Sequence, residues 1–118
     1  MNELVIRLPA TAPAAPMLRH AVREHLGPES GDAEPCVTEL LANVVRRPGE
    51  GTPVTLRISG RAARTRVELT DPDPRARPAP RRAADTDESG RGLALLDAVA
   101  LRRGVTRGYR TKTVWCEL

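Results

Sequence analysis

The hydrophobic repeat of the chain changes its period between residues 47 and 53, and this change constrains the fold more than any other feature. Before it, apolar residues recur every three or four positions over residues 14–26 and again up to about Arg47, as on the buried side of an amphipathic helix. After it, apolar and polar residues alternate in PVTLRISG (53–60) and TRVELTD (65–71), as in strands with one buried face. The pattern predicts two helices followed by an antiparallel hairpin.

Weaker patterns complete the order of elements. Residues 2–8 alternate loosely and predict an edge strand, and a third helix is expected to begin after the glycines at 90 and 92 and to end at Gly104. Two short strands follow, at 105–107 and 111–118. The resulting order, β-α-α-β-β-loop-α-β-β, predicts an α+β fold, a two-layer sandwich with helices on one face of a mixed, mainly antiparallel sheet. A length of 118 residues suits a single domain.

Composition argues against several classes of protein. The formal net charge is +4, but acidic residues are interspersed with the arginines, and no dense basic block with aromatic residues is present. An Arg-rich nucleic-acid binder is therefore the last of the alternatives. No apolar run is long enough to cross a bilayer, and the start MNELVIRLPA carries charges within its short apolar run, so no membrane contact and a cytoplasmic location are expected. Cys36 and Cys116 lack metal-site spacing and are expected to be small buried hydrophobes.

A polar strip flanks the apolar side of the second helix. Glu39, Asn43 and Arg47 are spaced four residues apart, so they line up along a continuous helix. A carboxylate there could act as a general base, and an amide oxygen could hold Mg²⁺. Taken alone, the strip is explained more simply as the polar flank of a surface helix.

Asp71 ends the second strand of the hairpin with the same parity as Val67 and Leu69, so its carboxylate is expected on the buried face. It could accept a hydrogen bond from a ligand, or it could serve the turn Asp-Pro-Asp-Pro that follows. Residues 72–89 have no periodicity and predict a lid or a disordered segment. This segment ends at Gly90-Arg91-Gly92, where free backbone N–H groups at a helix start would suit a phosphate.

The last strand carries apolar groups of both parities. Thr113 shares its parity with Trp115, and a threonine is also simply a good strand former. The other parity carries an apolar row, Val114, Cys116 and Leu118. On an outer sheet face this row would suit a homodimer, but core burial explains it as well.

Together and in this order, the four motifs resemble those of the GHKL superfamily, whose ATP site is the Bergerat or histidine-kinase-like ATPase fold. They are most similar to those of small actinobacterial ATP-binding proteins related to the anti-sigma-factor serine/threonine kinases. The resemblance runs from about residue 14 to the C-terminus. It implies a single histidine-kinase-like ATPase domain over residues 1–118, with a lid loop at about 72–89.

The resemblance also implies roles for individual residues. Asn43 would hold Mg²⁺ against the phosphates of ATP, and Glu39 would be the catalytic base toward an attacking hydroxyl. Asp71 would bind the amino group of adenine, with Thr113 supporting the base beside it. Further nucleotide contacts would come from Arg47, Lys112 and the second glycine box, Gly90, Arg91, Gly92 and Leu93.

The function implied is an ATP-binding regulatory protein that transfers the γ-phosphate to a serine or threonine of an anti-anti-sigma-like protein, with a sigma factor as a second candidate partner. Two departures favour an alternative, a catalytically weak or inactive nucleotide-sensing module that sequesters its partner. The first glycine box reads Asp71-Pro72-Asp73-Pro74 in place of Asp-x-Gly-x-Gly, and Arg47 stands where the related proteins carry a histidine.

Overall fold

The structure is a computed structural model that describes residues 2–61, 63–73 and 94–118. Its described strands form one five-stranded sheet of order β1-β2-β3-β5-β4, in which every neighbouring pair is antiparallel. The strands are β1 (Leu4–Pro9), β2 (Pro53–Arg61), β3 (Arg64–Pro72), β4 (Arg102–Gly108) and β5 (Thr111–Glu117). The helices are α1 (Ala14–Leu26), α2 (Ala33–Val44) and α3 (Ala94–Val99). This architecture confirms the predicted α+β class and element order.

One face of the sheet packs against the helices. Alternate residues of β2, β3 and β5 are buried there and form a single cluster with residues of α1, α2 and α3. The row Val114, Cys116 and Leu118 belongs to this cluster, so core burial accounts for it and it offers no outer surface to a second copy. Cys36 and Cys116 are free and fully buried, as predicted. The hydrogen bond with Cys36, together with burial, raises the pKa of the Cys116 thiol.

The second helix ends earlier than the sequence predicts. Regular α-helix stops at Val44, and a kinked, irregular turn, Val45–Gly49, follows. Arg47 has an extended backbone, with φ −162° and ψ 117°. The reason is Pro48, whose ring disfavours the helical conformation of the residue before it. The prediction that Arg47 continues one helical strip with Glu39 and Asn43 is therefore wrong.

The third helix also ends earlier than expected, at Val99, and Gly104 lies inside β4 rather than at a helix end. In β4, Gly104 pairs with Trp115 of β5, and the indole lies directly over the glycine. A Cβ added to Gly104 would come within 2.8 Å of the ring. Gly104 is thus required for close approach of the ring to the strand.

Replacement of Gly104 by alanine should destabilise the protein by about 1–3 kcal/mol, because the indole would have to move away from the strand. Gly31→Ala is the control, since a Cβ added there would meet nothing within 4 Å. Urea unfolding of both variants measures the difference. Equal losses of stability would contradict a special role for the indole contact.

The other face of the sheet is polar and crossed by ion pairs. They form one continuous series from the residue before β1 to β4: Glu3, Arg57, Glu68, Arg66, Glu117 and Arg102. The shortest N–O separations are 2.7 Å. The guanidinium of Arg66 also lies 4.1 Å from the centroid of the Trp115 ring. These arginines are thus engaged by acidic and aromatic neighbours in the sheet itself.

The Glu117 carboxylate predicts a pH dependence of stability. The hydrogen bond from Arg102 lowers the pKa of Glu117 from its usual value of 4.5. Since the folded-state pKa is the lower one, Glu117 contributes stability above about pH 4.5 that is lost as the pH falls through its folded-state pKa. Urea unfolding should show that the free energy of unfolding falls less between about pH 6 and pH 3 for Glu117→Gln than for the wild type. Glu29→Gln, at an exposed position, should behave like the wild type.

Candidate functional site

Asp71 is buried at the end of β3. It continues the inward alternation of Val67 and Leu69, and it is 1% exposed. An open cleft of about 490 Å³ lies at the adjoining ends of β1, β2 and β3. Asp71 is part of its lining, but most of the lining residues face outward, among them Thr55 and Thr70. The carboxylate is therefore a buried anionic group beside a cleft at the strand ends, and its burial is what the strand parity predicts.

Lys112 faces Asp71 across the sheet. The two residues are direct partners in the register of β3 and β5, so their side chains leave the sheet on the same face. Lys112 is 2% exposed, and its Nζ lies 4.0 Å from Oδ2 of Asp71. Burial of a lysine is costly without an opposite charge nearby, and Asp71 supplies that charge.

A second buried ion pair lies beside the first. Arg107 of β4 is the register partner of Lys112, and its guanidinium contacts the carboxylate of Asp73. The side chains of Arg107 and Asp73 are 8% and 4% exposed. The backbone N–H of Asp73 also donates to the carbonyl of Arg110, at 3.2 Å. The chain leaving β3 is thereby attached to the β4–β5 hairpin.

Thr113 does not lie beside Asp71. Its register partner is Thr70, and the two hydroxyl oxygens are 2.6 Å apart on the outer face of the sheet. The expected position of Thr113 is therefore wrong, and Lys112 occupies the place next to the carboxylate. Strand parity contained the signal, because Lys112 shares its parity with the buried Val114 and Cys116.

The polar residues of α2 lie on the helix that packs against β3. Glu39 and Asn43 are both partly buried, one turn apart. Arg46, which sequence reasoning missed, donates from Nη2 to Oδ1 of Asn43 at 3.3 Å. An amide oxygen is a ligand type that suits Mg²⁺, and a guanidinium next to it suits phosphate, so these side chains fit a magnesium–nucleotide complex. Arg47 is exposed, and its extended backbone places it outside the helix that carries Glu39 and Asn43.

The remaining predicted contacts, Gly90, Arg91, Gly92 and Leu93, lie outside the described residues, as does nearly all of the predicted lid. Within residues 2–61, 63–73 and 94–118, no three His, Cys, Asp or Glu side chains cluster as ligands of a metal ion. In the same part of the chain, no helix has the length and apolar character to span a membrane.

Comparisons with known proteins identify the family and the fold of the chain. The family model described as the histidine kinase-like ATPase domain matches residues 8–116. An uncharacterized protein of Streptomyces coelicolor is 51% identical over 83 residues, which are 69% of this chain and 79% of that protein.

The fold is similar to part of a crystal structure of the RsbU and RsbW domains of a Mycobacterium tuberculosis protein, with a TM-score of 0.68 and 18% identity over 99% of this chain. Our chain corresponds to 31% of that longer chain. The family model covers nearly all of the sequence, and the buried carboxylate and the polar helix fall within the matched residues. The chain belongs to the histidine kinase-like ATPase domain family.

Proposed function

We propose that the protein binds ATP with Mg²⁺ and regulates a partner protein by phosphorylating it, in the manner of the anti-sigma-factor serine/threonine kinases. The observation that carries the proposal is the buried carboxylate of Asp71 beside the cleft at the strand ends, in a chain of an ATPase-domain family. A buried carboxylate accepts hydrogen bonds strongly, and the 6-amino group of adenine is a donor of the right kind.

The phosphates would lie toward α2. Asn43 would hold Mg²⁺, which neutralises phosphate charge when it is bound. Arg46, next to Asn43, would add a guanidinium for the phosphate oxygens. Gly90, Arg91, Gly92 and Leu93, which directly precede α3 in the sequence, are proposed to contact the phosphates.

Glu39 would act as the base in transfer. A serine or threonine hydroxyl of the partner forms a bond to the γ-phosphorus, the bond from that phosphorus to the oxygen of ADP breaks, and the hydroxyl proton passes to Glu39. The proposed acceptor is an anti-anti-sigma-like protein, and a sigma factor is the second candidate partner. Most of the rate enhancement would come from positioning and charge neutralisation.

A second candidate function keeps ATP binding and omits transfer. Two observations favour it: Arg46 already engages the Asn43 oxygen, and Asp73, at a glycine position of the first glycine box, is tied to Arg107. Such a protein would sense a nucleotide and sequester its partner. Incubation with radiolabelled ATP and recombinant anti-anti-sigma proteins separates the two candidates, since only a kinase labels the acceptor.

Isothermal titration with Mg-ATP tests the shared proposal. Asp71→Asn should weaken ATP binding about 10- to 100-fold, because the amide lacks the charged acceptor for the base. Glu68→Gln is the matched control, since it removes a carboxylate from the outer face of the same strand and should leave the affinity unchanged. Equal affinities of Asp71→Asn and wild type would exclude Asp71 from base recognition. Absence of binding to the wild type at millimolar ATP would refute both candidate functions.

A further inference from the structure

Three charged residues of adjacent strands form a row on the helix-facing side of the sheet. Asp71, Lys112 and Arg107 are successive register partners across β3, β5 and β4. Arg107 contacts Asp73, whereas Lys112 has Asp71 within 4.0 Å. Arg107 is therefore paired with Asp73, and Lys112 supplies the positive charge next to the Asp71 carboxylate.

Lys112 and the amino group of adenine offer Asp71 the same chemistry. Both present N–H donors to a carboxylate that is 1% exposed. Lys112 is already beside this carboxylate, whereas adenine would have to reach it. The attraction between opposite charges is stronger in a buried site than in water. An adenine that hydrogen-bonds to Asp71 must therefore replace an ion pair that the ligand-free protein already contains.

Lys112 already occupies space beside Asp71 in the interior of the protein. Lys112 is among the largest fully buried side chains of the described residues, and its strand partner on the other side is Arg107. Arg107 is itself paired with Asp73, and Asp71 is the carboxylate that lies at ion-pair distance from the Lys112 ammonium.

We propose that Lys112 competes with the adenine amino group for Asp71, so that the ligand-free protein fills its own base-recognition position. This inference rests on the proposed ATP binding and adds the residue that sets its strength. Lys112 lowers the affinity for ATP, and a smaller neutral side chain at this position raises it.

Calorimetric titration of Lys112→Thr with two Mg-nucleotides tests the competition. The nucleotides are ATP and purine riboside triphosphate, which differs from ATP only in lacking the 6-amino group. Lys112→Thr should bind ATP about 10-fold more tightly than the wild type does, and should show no such gain for the analogue. Arg57→Thr, which removes a cation from the outer face of β2, should bind both nucleotides as the wild type does.

The wild-type protein provides an independent measurement. Lys112 is the only lysine of the sequence, so labelling with ¹⁵N-lysine gives a single side-chain signal in NMR spectra. Titration with Mg-ATP should shift this signal in a saturable way, and the analogue should shift it less at equal occupancy. This measurement decides the matter if Lys112→Thr does not fold.

The outcomes separate the inference from the function on which it rests. The competition is refuted if Lys112→Thr binds ATP no more tightly than the wild type, if it gains equally for both nucleotides, or if ATP leaves the Lys112 signal unmoved at saturation. ATP binding by the wild type that Asp71→Asn weakens would keep the proposed function in each of these cases. If neither wild type nor Lys112→Thr binds ATP at millimolar concentration, both proposals fall.

Discussion

Replacement of Lys112 by methionine is expected to lower the free energy of unfolding by about 3–5 kcal/mol, because the variant keeps the buried Asp71 carboxylate but loses the ammonium 4.0 Å from it. The double variant Asp71→Asn/Lys112→Met should recover most of this loss, since no charge then remains at the pair. The difference between single and double variants measures the coupling directly.

Arg57→Met is the matched control for this stability measurement. It also exchanges a basic residue of the sheet for methionine, but its ion pairs lie on the partly exposed outer face, so the cost should stay within about 1 kcal/mol. Urea unfolding near neutral pH compares the variants. If Lys112→Met and Arg57→Met lose equal stability, the buried pair has no special energetic role.

Replacement of Glu39 by glutamine is expected to slow phosphate transfer by about 10²- to 10⁴-fold, which is the usual contribution of a positioned base. ATP affinity should stay near that of the wild type, because the proposed roles of Asp71 and Asn43 in binding do not depend on Glu39. Single-turnover transfer from radiolabelled ATP to recombinant anti-anti-sigma proteins measures the rate.

Glu34→Gln is the control for this kinetic effect. Glu34 is a carboxylate of the same helix, but it is held by Arg23 at 2.8 Å and by the hydroxyl of Ser30 at 2.7 Å, away from the polar strip. Transfer by Glu34→Gln should match the wild type. Full transfer by Glu39→Gln would remove Glu39 from the role of base, whereas absence of transfer by the wild type would favour the sequestering module.

The element order and the inward face of β3 could be predicted because period and parity are local properties of a sequence. Val67, Leu69 and Asp71 share one parity, and the structure buries all three. The end of α2 could have been predicted by the same local reasoning, since Pro48 disfavours a helical Arg47. The predicted strip includes Arg47, the residue directly before this proline, and that part of the prediction is wrong.

The neighbours of Asp71 could not be predicted in the same way, because they depend on which strands pair and in what register. A shift of register by one residue between β3 and β5 would exchange Lys112 for Thr113 beside the carboxylate. The ion pair of Asp73 with Arg107 joins residues 34 positions apart, and no local pattern marks either one. Arg46 is absent from the predicted strip because its contact with Asn43 spans three residues, whereas the strip follows a spacing of four.

The position of Trp115 makes it an optical reporter of one part of the molecule. It is the single tryptophan, and its ring lies between Gly104 and the Arg66 guanidinium on the outer face, whereas Asp71 faces the helices. Its fluorescence should therefore follow unfolding of the β3–β5–β4 part of the sheet and stay constant when a ligand merely fills the cleft. A change in emission on addition of ATP would mean that binding is transmitted through the sheet to its opposite face.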